Sequence, residues 1–257
     1  MNAETLLRLA LVPAAIWLAT LAARRWGHTV SGYLGGLPLI GGPITFYLAL
    51  DHGTAFAARS ATFTLAAILG QGAHLLAFAH VARRAAWPFA LVAGWASFGS
   101  VAIAVATLDP TPGLAFALAI AGLSAAWAWL PHPREAAMPA HIPVAELRLR
   151  LVAAFVLAAL ILWSADAFGP VASGVLLSMP VTGSIMPPFT LALYGADAVA
   201  RLMRGFVVGL TGFTTFFVVV ALAAVPWGMA GAFAAALAGA SGAVVIASRT
   251  LRIATRQ

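Results

Sequence analysis

The chain contains no cysteine, and only 8% of its 257 residues are charged. The absence of cysteine excludes disulfides, thiolate metal sites and cysteine nucleophiles. The scarcity of charge excludes a soluble domain, since 63% of the residues are hydrophobic and the mean hydropathy is +1.00. Apolar runs of roughly 18 or more residues recur along the chain, and such runs are long enough to cross a bilayer. We therefore expect one integral membrane domain embedded in the lipid bilayer.

Acidic residues are scarce as well, and lysine is absent, so that all 14 basic side chains other than histidine are arginines. The pI of about 11.5 could indicate a nucleic-acid partner. However, the arginines form no patch and stand at the ends of apolar segments, where they set membrane topology. No acidic residue lies clearly in the middle of a span, where cation-coupled pumps usually carry one. We therefore expect no nucleic-acid partner, and a neutral, amphipathic or anionic solute.

Glycine, proline and charged residues divide the chain into nine predicted helices. The predicted ranges are 4–23, 29–50, 54–82, 86–107, 113–130, 146–166, 170–194, 197–224 and 227–248. With the N-terminus outside, twelve of the fourteen arginines lie at cytoplasmic helix ends, and only Arg8 and Arg59 lie outside. This orientation places the C-terminus in the cytoplasm. The alanine and arginine bias is typical of a GC-rich bacterial genome, so we expect a multi-pass protein of the bacterial inner membrane.

The sequence repeats itself after 142 residues without a gap. The repeat matches pairs of identical residues, among them Pro38 and Pro180, Gly41 and Gly183, Gly53 and Gly195, and Arg59 and Arg201. We predict a four-helix repeat over 1–107, a linker helix and cytoplasmic loop over 108–145, and a second four-helix repeat over 146–257. An odd number of crossings before the second repeat inverts it, and inverted repeats are typical of transporters and channels.

The second helix of each repeat is rich in glycine, serine and proline. Proline removes a backbone donor and clashes with the preceding turn, so we expect both copies to be kinked or broken near Pro38 and Pro180. Broken helices in corresponding positions of two repeats indicate a transport site. The alternative is that the small residues only let helices pack closely. The candidate substrate-binding residues of these helices are Ser31, Pro38, Gly41, Thr45, Ser173, Pro180, Thr182 and Gly183.

The third helix carries Gln71 and His74 near its middle, three residues apart and therefore on one face. Polar side chains at that depth tend to face a cavity or another helix, and histidine can relay protons. We include both as substrate-binding candidates, and the alternative is a pair of interhelical hydrogen bonds. The second repeat offers the weaker threonine cluster Thr211, Thr214 and Thr215.

Charged residues at the helix ends suggest gates. Asp51 could pair with Arg59 at the outer mouth, and Asp197 with Arg201 at the inner one. Plain interfacial salt bridges are the alternative. The 131–145 segment is expected to be a semi-rigid tether. Its residues His132, Glu135 and His141 match no specific metal spacing, so no metal or cofactor is predicted.

Each repeat resembles the small four-helix bacterial inner-membrane proteins of the GlpM type. The resemblance rests on Gly36-Leu37-Pro38-Leu39, the helix that ends at Gly53, and Ala58-Arg59, and on Pro180, Gly195 and Ala200-Arg201 in the second copy. It covers residues ~1–107 and ~146–250, and it implies a membrane class without a settled biochemical activity. Small multidrug-resistance and fluoride-channel proteins also pair four-helix units antiparallel, but their functional residues have no counterpart here.

We therefore expect a transporter, acting as a monomer or homodimer, that moves a small solute through a site between two inverted repeats. One alternative is a non-transporting membrane partner of an envelope-biosynthesis complex, and another is a small-anion channel. An intramembrane enzyme acting on lipid is not expected, because no catalytic arrangement of serine, histidine or aspartate is readable.

Overall fold

The computed structural model describes Tyr33, residues 37–134 and residues 144–254. Within these ranges the chain forms helices and turns, and no β-strand occurs. The predicted all-α class is therefore confirmed for this part of the chain. The first predicted helix and the candidate Ser31 lie outside the described residues.

Seven helices follow one another along the described chain. They are α1 (Gly41–His52), α2 (Thr54–Ala66), α3 (Ile68–Val81), α4 (Trp87–Leu108), α5 (Pro112–Trp129), α6 (Val144–Leu177) and α7 (Val181–Ala254). Three predicted ranges agree with the structure within one residue at each end: 54–82, 86–107 and 113–130. In the first of these, a single turn residue, Ala67, separates α2 from α3.

Glycines with positive φ interrupt the two longest helices. Gly169 (φ 71°) divides α6, and Gly195 (φ 76°) and Gly228 (φ 70°) divide α7. Glycine adopts this backbone region without the steric cost that a side chain would bring. The helical segments are therefore 144–168 and 170–177 in α6, and 181–194, 196–227 and 229–254 in α7.

Four helical stretches among the described residues are long and apolar enough to cross a membrane. They are Thr54–Val81, Trp87–Leu108, Pro112–Trp129 and Ala167–Thr250. The last contains 84 residues, whereas one crossing needs about 20. These stretches are compatible with a multi-pass helical membrane protein. The number of nine helices and the repeat remain predictions.

The α2–α3 stretch lies at the centre of the bundle and packs against α4, α5, α6 and α7. In its most apolar window 78% of the residues are buried, compared with 28% in α4 and in α5. The large apolar side chains of α4, such as Phe89, Val92 and Ile103, are mostly exposed. An apolar outer surface on peripheral helices is what contact with lipid requires.

Two close helix contacts depend on glycine. A Cβ at Gly72 of α3 would lie 2.5 Å from the carbonyl oxygen of Gly122 in α5, and one at Gly174 of α6 would lie 2.4 Å from the carbonyl oxygen of Ser60 in α2. Small residues let helix backbones approach in this way in membrane proteins. Gly174 thus permits close packing of α6 against α2.

The bundle has two charged ends. At one end Arg59 of α2 forms an ion pair with Asp109, which caps α4 in a left-handed conformation. At the other end Arg83, just after α3, lies 3.7 Å from Asp197 of α7. We call these the Arg59 end and the Arg83 end.

Candidate functional site

The helical path between α6 and α7 breaks at Pro180. α6 ends at Leu177, and α7 begins at Val181. Val181 N–H donates to the carbonyl of Met179 at 2.8 Å, which makes a tight turn centred on the proline. The break predicted for the second copy is therefore confirmed.

A matching turn occurs at Pro38. Leu39 N–H donates to the carbonyl of Leu37 at 2.8 Å, and α1 begins at Gly41. The residues that directly precede Leu37 lie outside the described residues. Both prolines thus sit at the centre of a three-residue turn that immediately precedes a helix.

Gln71 of α3 reaches across to the break at Pro180. Its side-chain amide donates to the carbonyl of Ser178 at 2.6 Å. Gln71 lies twelve residues after Arg59 and twelve before Arg83, which corresponds to about 18 Å of helix on each side. The contact therefore lies midway between the charged ends, where an unpaired carbonyl would have no water to bind.

His74 contacts the first turn of α7. Its Nε2 lies 3.2 Å from the carbonyl oxygen of Gly183. In a helix this carbonyl would accept from the residue four positions on, but that residue is Pro187, which has no N–H. Because a carbonyl only accepts, Nε2 carries the hydrogen and Nδ1 is an acceptor in the neutral ring. Nδ1 is buried and has no hydrogen-bond partner among the described residues.

The imidazole of His74 fits against α4 only because residue 94 is glycine. A Cβ at Gly94 would lie 2.8 Å from Cε1 and Nδ1 of His74. The Trp95 ring stands edge-on to the imidazole, with 6.3 Å between centroids. Gly94 and Pro187 were not singled out in the sequence, although a proline four residues after a glycine does indicate a carbonyl without its helical donor.

We expect Gly94→Ala to displace His74 and to lower the free energy of unfolding by about 1 kcal/mol. This loss of stability is at the low end of the range for overpacking, because the His74 side chain can shift more easily than backbone atoms can. Gly99→Ala in the same helix is the control, since a Cβ there meets nothing within 4 Å. It should be neutral or stabilising, because alanine favours helix. Unfolding in detergent measures both, and equal stabilities would contradict the close contact.

The predicted counterparts of Gln71 and His74 do not form a second polar site. Thr211 and Thr215 donate to carbonyls of their own helix, those of Val208 (2.7 Å) and Thr211 (2.8 Å). The hydroxyl of Thr214 is buried without a hydrogen-bond partner among the described residues. Threonine commonly bonds its own helix in this manner.

Aromatic rings cover the start of α1 instead. A Cβ at Gly41 would lie 3.1 Å from the ring of Phe217 and 3.6 Å from that of Phe213, and one at Gly42 would lie 3.6 Å from the ring of Phe216. Phe213 and Phe216 stand 142 residues after Gln71 and His74. The turn at Pro180 therefore has polar neighbours in α3, whereas the helix start after Pro38 has aromatic ones in α7.

Two of the hydroxyl candidates are directed to their own helices. Thr45 donates to the carbonyl of Gly41 at 2.7 Å, and Ser173 donates to that of Gly169 at 3.0 Å. Both side chains are fully buried, and Thr182 is half-buried. The residues that the structure brings together at the break are thus Gln71, His74, Ser178, Pro180 and Gly183.

Two of the four charged gate candidates, Arg59 and Asp197, have partners that the sequence did not indicate. Arg59 pairs with Asp109, and Asp197 accepts from the backbone N–H of Arg134 at 2.9 Å in addition to its contact with Arg83. The pairs Asp51–Arg59 and Asp197–Arg201 remain predictions.

Metal-ligating side chains do not gather within the described ranges. No group of three or more His, Asp or Glu residues there could hold an ion. Glu135 and His141, two of the three potential metal ligands in the 131–145 segment, lie outside those ranges.

Comparison of the chain with protein-family models, with curated proteins and with solved structures finds no match.

Proposed function

We propose that this chain is an integral membrane transporter that moves a small neutral, amphipathic or anionic solute. The observation that carries the proposal is the helix break at Pro180, where Gln71 and His74 hold the carbonyls of Ser178 and Gly183. Interrupted helices are tolerated at bilayer depth only inside protein or along a water-filled cavity, and they commonly form transport sites.

A duplicated origin is supported by backbone features 142 residues apart. The turns at Pro38 and Pro180 have the same hydrogen bond at the same distance. Gly53 (φ 87°, ψ 166°) and Gly195 (φ 76°, ψ −177°) adopt the same unusual conformation at the starts of the following helices. The proposed four-helix repeats and the GlpM-type resemblance are in keeping with both similarities.

The relative direction of two helices supports an inverted arrangement. In the proposed repeat, segment 196–227 is the counterpart of the α2–α3 stretch. Asp197, at the start of 196–227, lies beside Arg83, which follows the end of α3. The two counterparts therefore run antiparallel, and we propose that one repeat rocks against the other. The Arg83 end would face the cytoplasm of a bacterium, as the arginine distribution suggests.

The side-chain carbonyl of Gln71 suits a solute with hydrogen-bond donors. Gln71 and His74 each use one N–H on a protein carbonyl. The carbonyl oxygen of the Gln71 amide can accept a further hydrogen bond. A hydroxyl, amide or amine group of the solute would satisfy this acceptor without a protein carboxylate.

Ligand binding can be tested by the thermal stability of the purified protein against amino acids, sugars, organic acids, small anions and amphipathic cations. A compound that binds the folded state raises the melting temperature by mass action. We expect one chemical class to do so, and Gln71→Leu to weaken its apparent affinity about tenfold, which is about 1.4 kcal/mol. Ser241→Ala is the control, because that exposed hydroxyl bonds only its own helix.

Flux into proteoliposomes then separates the possible roles. A carrier gives saturable uptake that falls in the Gln71 variant, whereas a small-anion channel gives flux without saturation at low concentration. Binding that persists unchanged in Gln71→Leu would place the site elsewhere.

A second candidate is a non-transporting membrane partner of a larger complex. The observation in its favour is that the carbonyls of Ser178 and Gly183 already have protein donors, as a purely structural break requires. It predicts a co-purifying protein and no shift from any compound in the panel.

A further inference from the structure

The segment that follows α5 cannot continue the helix, because prolines occupy positions 131 and 133. Its carbonyls therefore need donors from other parts of the chain. The three successive carbonyls of Leu130, Pro131 and His132 each accept from an arginine. Arg204 of α7 donates from Nη2 to Leu130 at 2.8 Å and from Nε to Pro131 at 3.3 Å. Arg83 donates from Nη2 to His132 at 2.9 Å.

Two further contacts hold the same segment in place. The Arg204 guanidinium stacks 4.9 Å from the centre of the Trp127 ring, and only 9% of the residue is exposed. The backbone N–H of Arg134 donates to the carboxylate of Asp197 at 2.9 Å. Residues 130–134 are thus held against α3 and α7 mainly through backbone atoms, which leaves the side chain of Arg134 exposed at the Arg83 end.

Two guanidinium groups at this end have no protein partner in the described part of the chain. Arg84 and Arg134 are exposed, and neither side chain forms a hydrogen bond or an ion pair with another described residue. Arg84 directly follows Arg83, which contacts the segment of Arg134. The carboxylate of Asp197 lies 3.7 Å from Arg83 and already accepts from the Arg134 backbone. The two guanidinium charges therefore lie near the same contact and are available to a ligand.

Two exposed tryptophans place these charges at the level of the lipid headgroups. Trp87 at the start of α4 is 43% exposed, and Trp129 at the end of α5 is 68% exposed. Tryptophan is enriched at the interface between the bilayer and water. Arg84 precedes Trp87 by three residues, and Arg134 follows Trp129 by five. Both arginines are therefore expected at the depth of the phosphate groups.

We propose that Arg84 and Arg134 bind the phosphate of an anionic phospholipid such as phosphatidylglycerol. Guanidinium groups bind phosphate oxygens through paired hydrogen bonds, and basic clusters beside membrane helices recognise anionic lipids. A zwitterionic lipid would bring its own cation close to the two arginines and bind less tightly. Arg83, Arg204 and Asp197 are positioning residues, because they hold the segment that carries Arg134. The inference goes beyond the proposed transport function and does not depend on any solute.

Lipid competition tests this site in the full-length protein. Native mass spectrometry of the detergent-purified protein measures the binding of phosphatidylglycerol and phosphatidylcholine that have the same acyl chains. We expect the wild type to prefer phosphatidylglycerol, and Arg84→Gln/Arg134→Gln to weaken that binding about thirtyfold while phosphatidylcholine binding stays the same. Because neither side chain has a partner among the described residues, the melting temperature without added lipid should not change.

Arg148→Gln/Arg249→Gln is the matched control, since it removes the same charge from exposed arginines of α6 and α7. It should keep the preference for phosphatidylglycerol, and an equal loss there would mean that only overall charge matters. Inorganic phosphate and a polyglutamate peptide are added separately as competitors. Displacement of the lipid by phosphate would indicate a site for free anions, and displacement by the peptide a site for an acidic protein segment. Each of these three results would overturn the proposal, whatever the outcome for solute binding.

Discussion

His74→Leu is expected to lower the free energy of unfolding by about 2–3 kcal/mol, because the carbonyl of Gly183 loses its donor. That carbonyl cannot be rescued by its own helix, since residue 187 is proline. Because water is not available at bilayer depth, the free-energy cost of the unpaired carbonyl should lie in the upper part of the usual range. The same substitution also removes the ring that packs against Gly94 and Trp95.

A second substitution can separate the hydrogen bond from the packing. Pro187→Ala restores a backbone N–H four residues after Gly183, so α7 can satisfy the carbonyl by itself. We expect His74→Leu/Pro187→Ala to recover about 1–2 kcal/mol of the loss. Pro187→Ala alone completes the double-mutant cycle, and denaturant unfolding of the four proteins gives the interaction free energy.

An exposed histidine provides the control for this cycle. His80→Leu should change the stability by no more than about 0.5 kcal/mol, as is usual for surface positions. If His74→Leu is equally unstable with and without Pro187→Ala, the carbonyl of Gly183 is not what His74 stabilises.

The same pair of variants distinguishes a structural role from a transport role. Suppose that the double variant is stable and still binds and moves solute. His74 then serves only to satisfy the helix break, and the second candidate function gains support. If the double variant is stable but inactive, the imidazole contributes something to transport that a backbone N–H cannot.

The limits of the helices predicted at 54–82, 86–107 and 113–130 and the break at Pro180 were predictable because their causes are local. A proline removes a donor within its own helix, and glycine and charged residues interrupt apolar runs wherever they occur. Gln71 and His74 were recognisable by their polarity in an apolar stretch. Their hydrogen-bond partners were not predictable, since Ser178 and Gly183 lie 107 and 109 residues away along the chain. A hydropathy pattern does not show which distant residues are in contact.

The sequence pattern also did not predict that the two proline turns have different neighbours. The repeat gives Gly41 and Gly183 equivalent positions, and both were predicted to contribute to a site. Tertiary packing decides what covers each: the ring of Phe217 lies over Gly41, while the imidazole of His74 lies against Gly183. Positions that correspond in the sequence can therefore have different chemical surroundings, because the neighbouring helix determines them.

The contact between α3 and α5 should be among the most sensitive in the described bundle. A Cβ at Gly122 would lie 2.6 Å from the Cα of Leu69 and 3.3 Å from the carbonyl oxygen of Ile68. Both neighbours are backbone atoms, which cannot turn aside as a side chain can. We expect Gly122→Ala to destabilise the protein by about 3 kcal/mol, the upper part of the range for overpacking.

Gly113→Ala is the matched control in α5, because a Cβ at Gly113 meets nothing within 4 Å. It should change the stability by no more than about 0.5 kcal/mol. Reversible unfolding in detergent compares the two variants, and a Gly122→Ala protein as stable as the Gly113→Ala one would mean that the helices lie farther apart. If the loss is observed, the tight backbone contact implies that α5 moves together with α3, so that the linker helix belongs mechanically to the first proposed repeat.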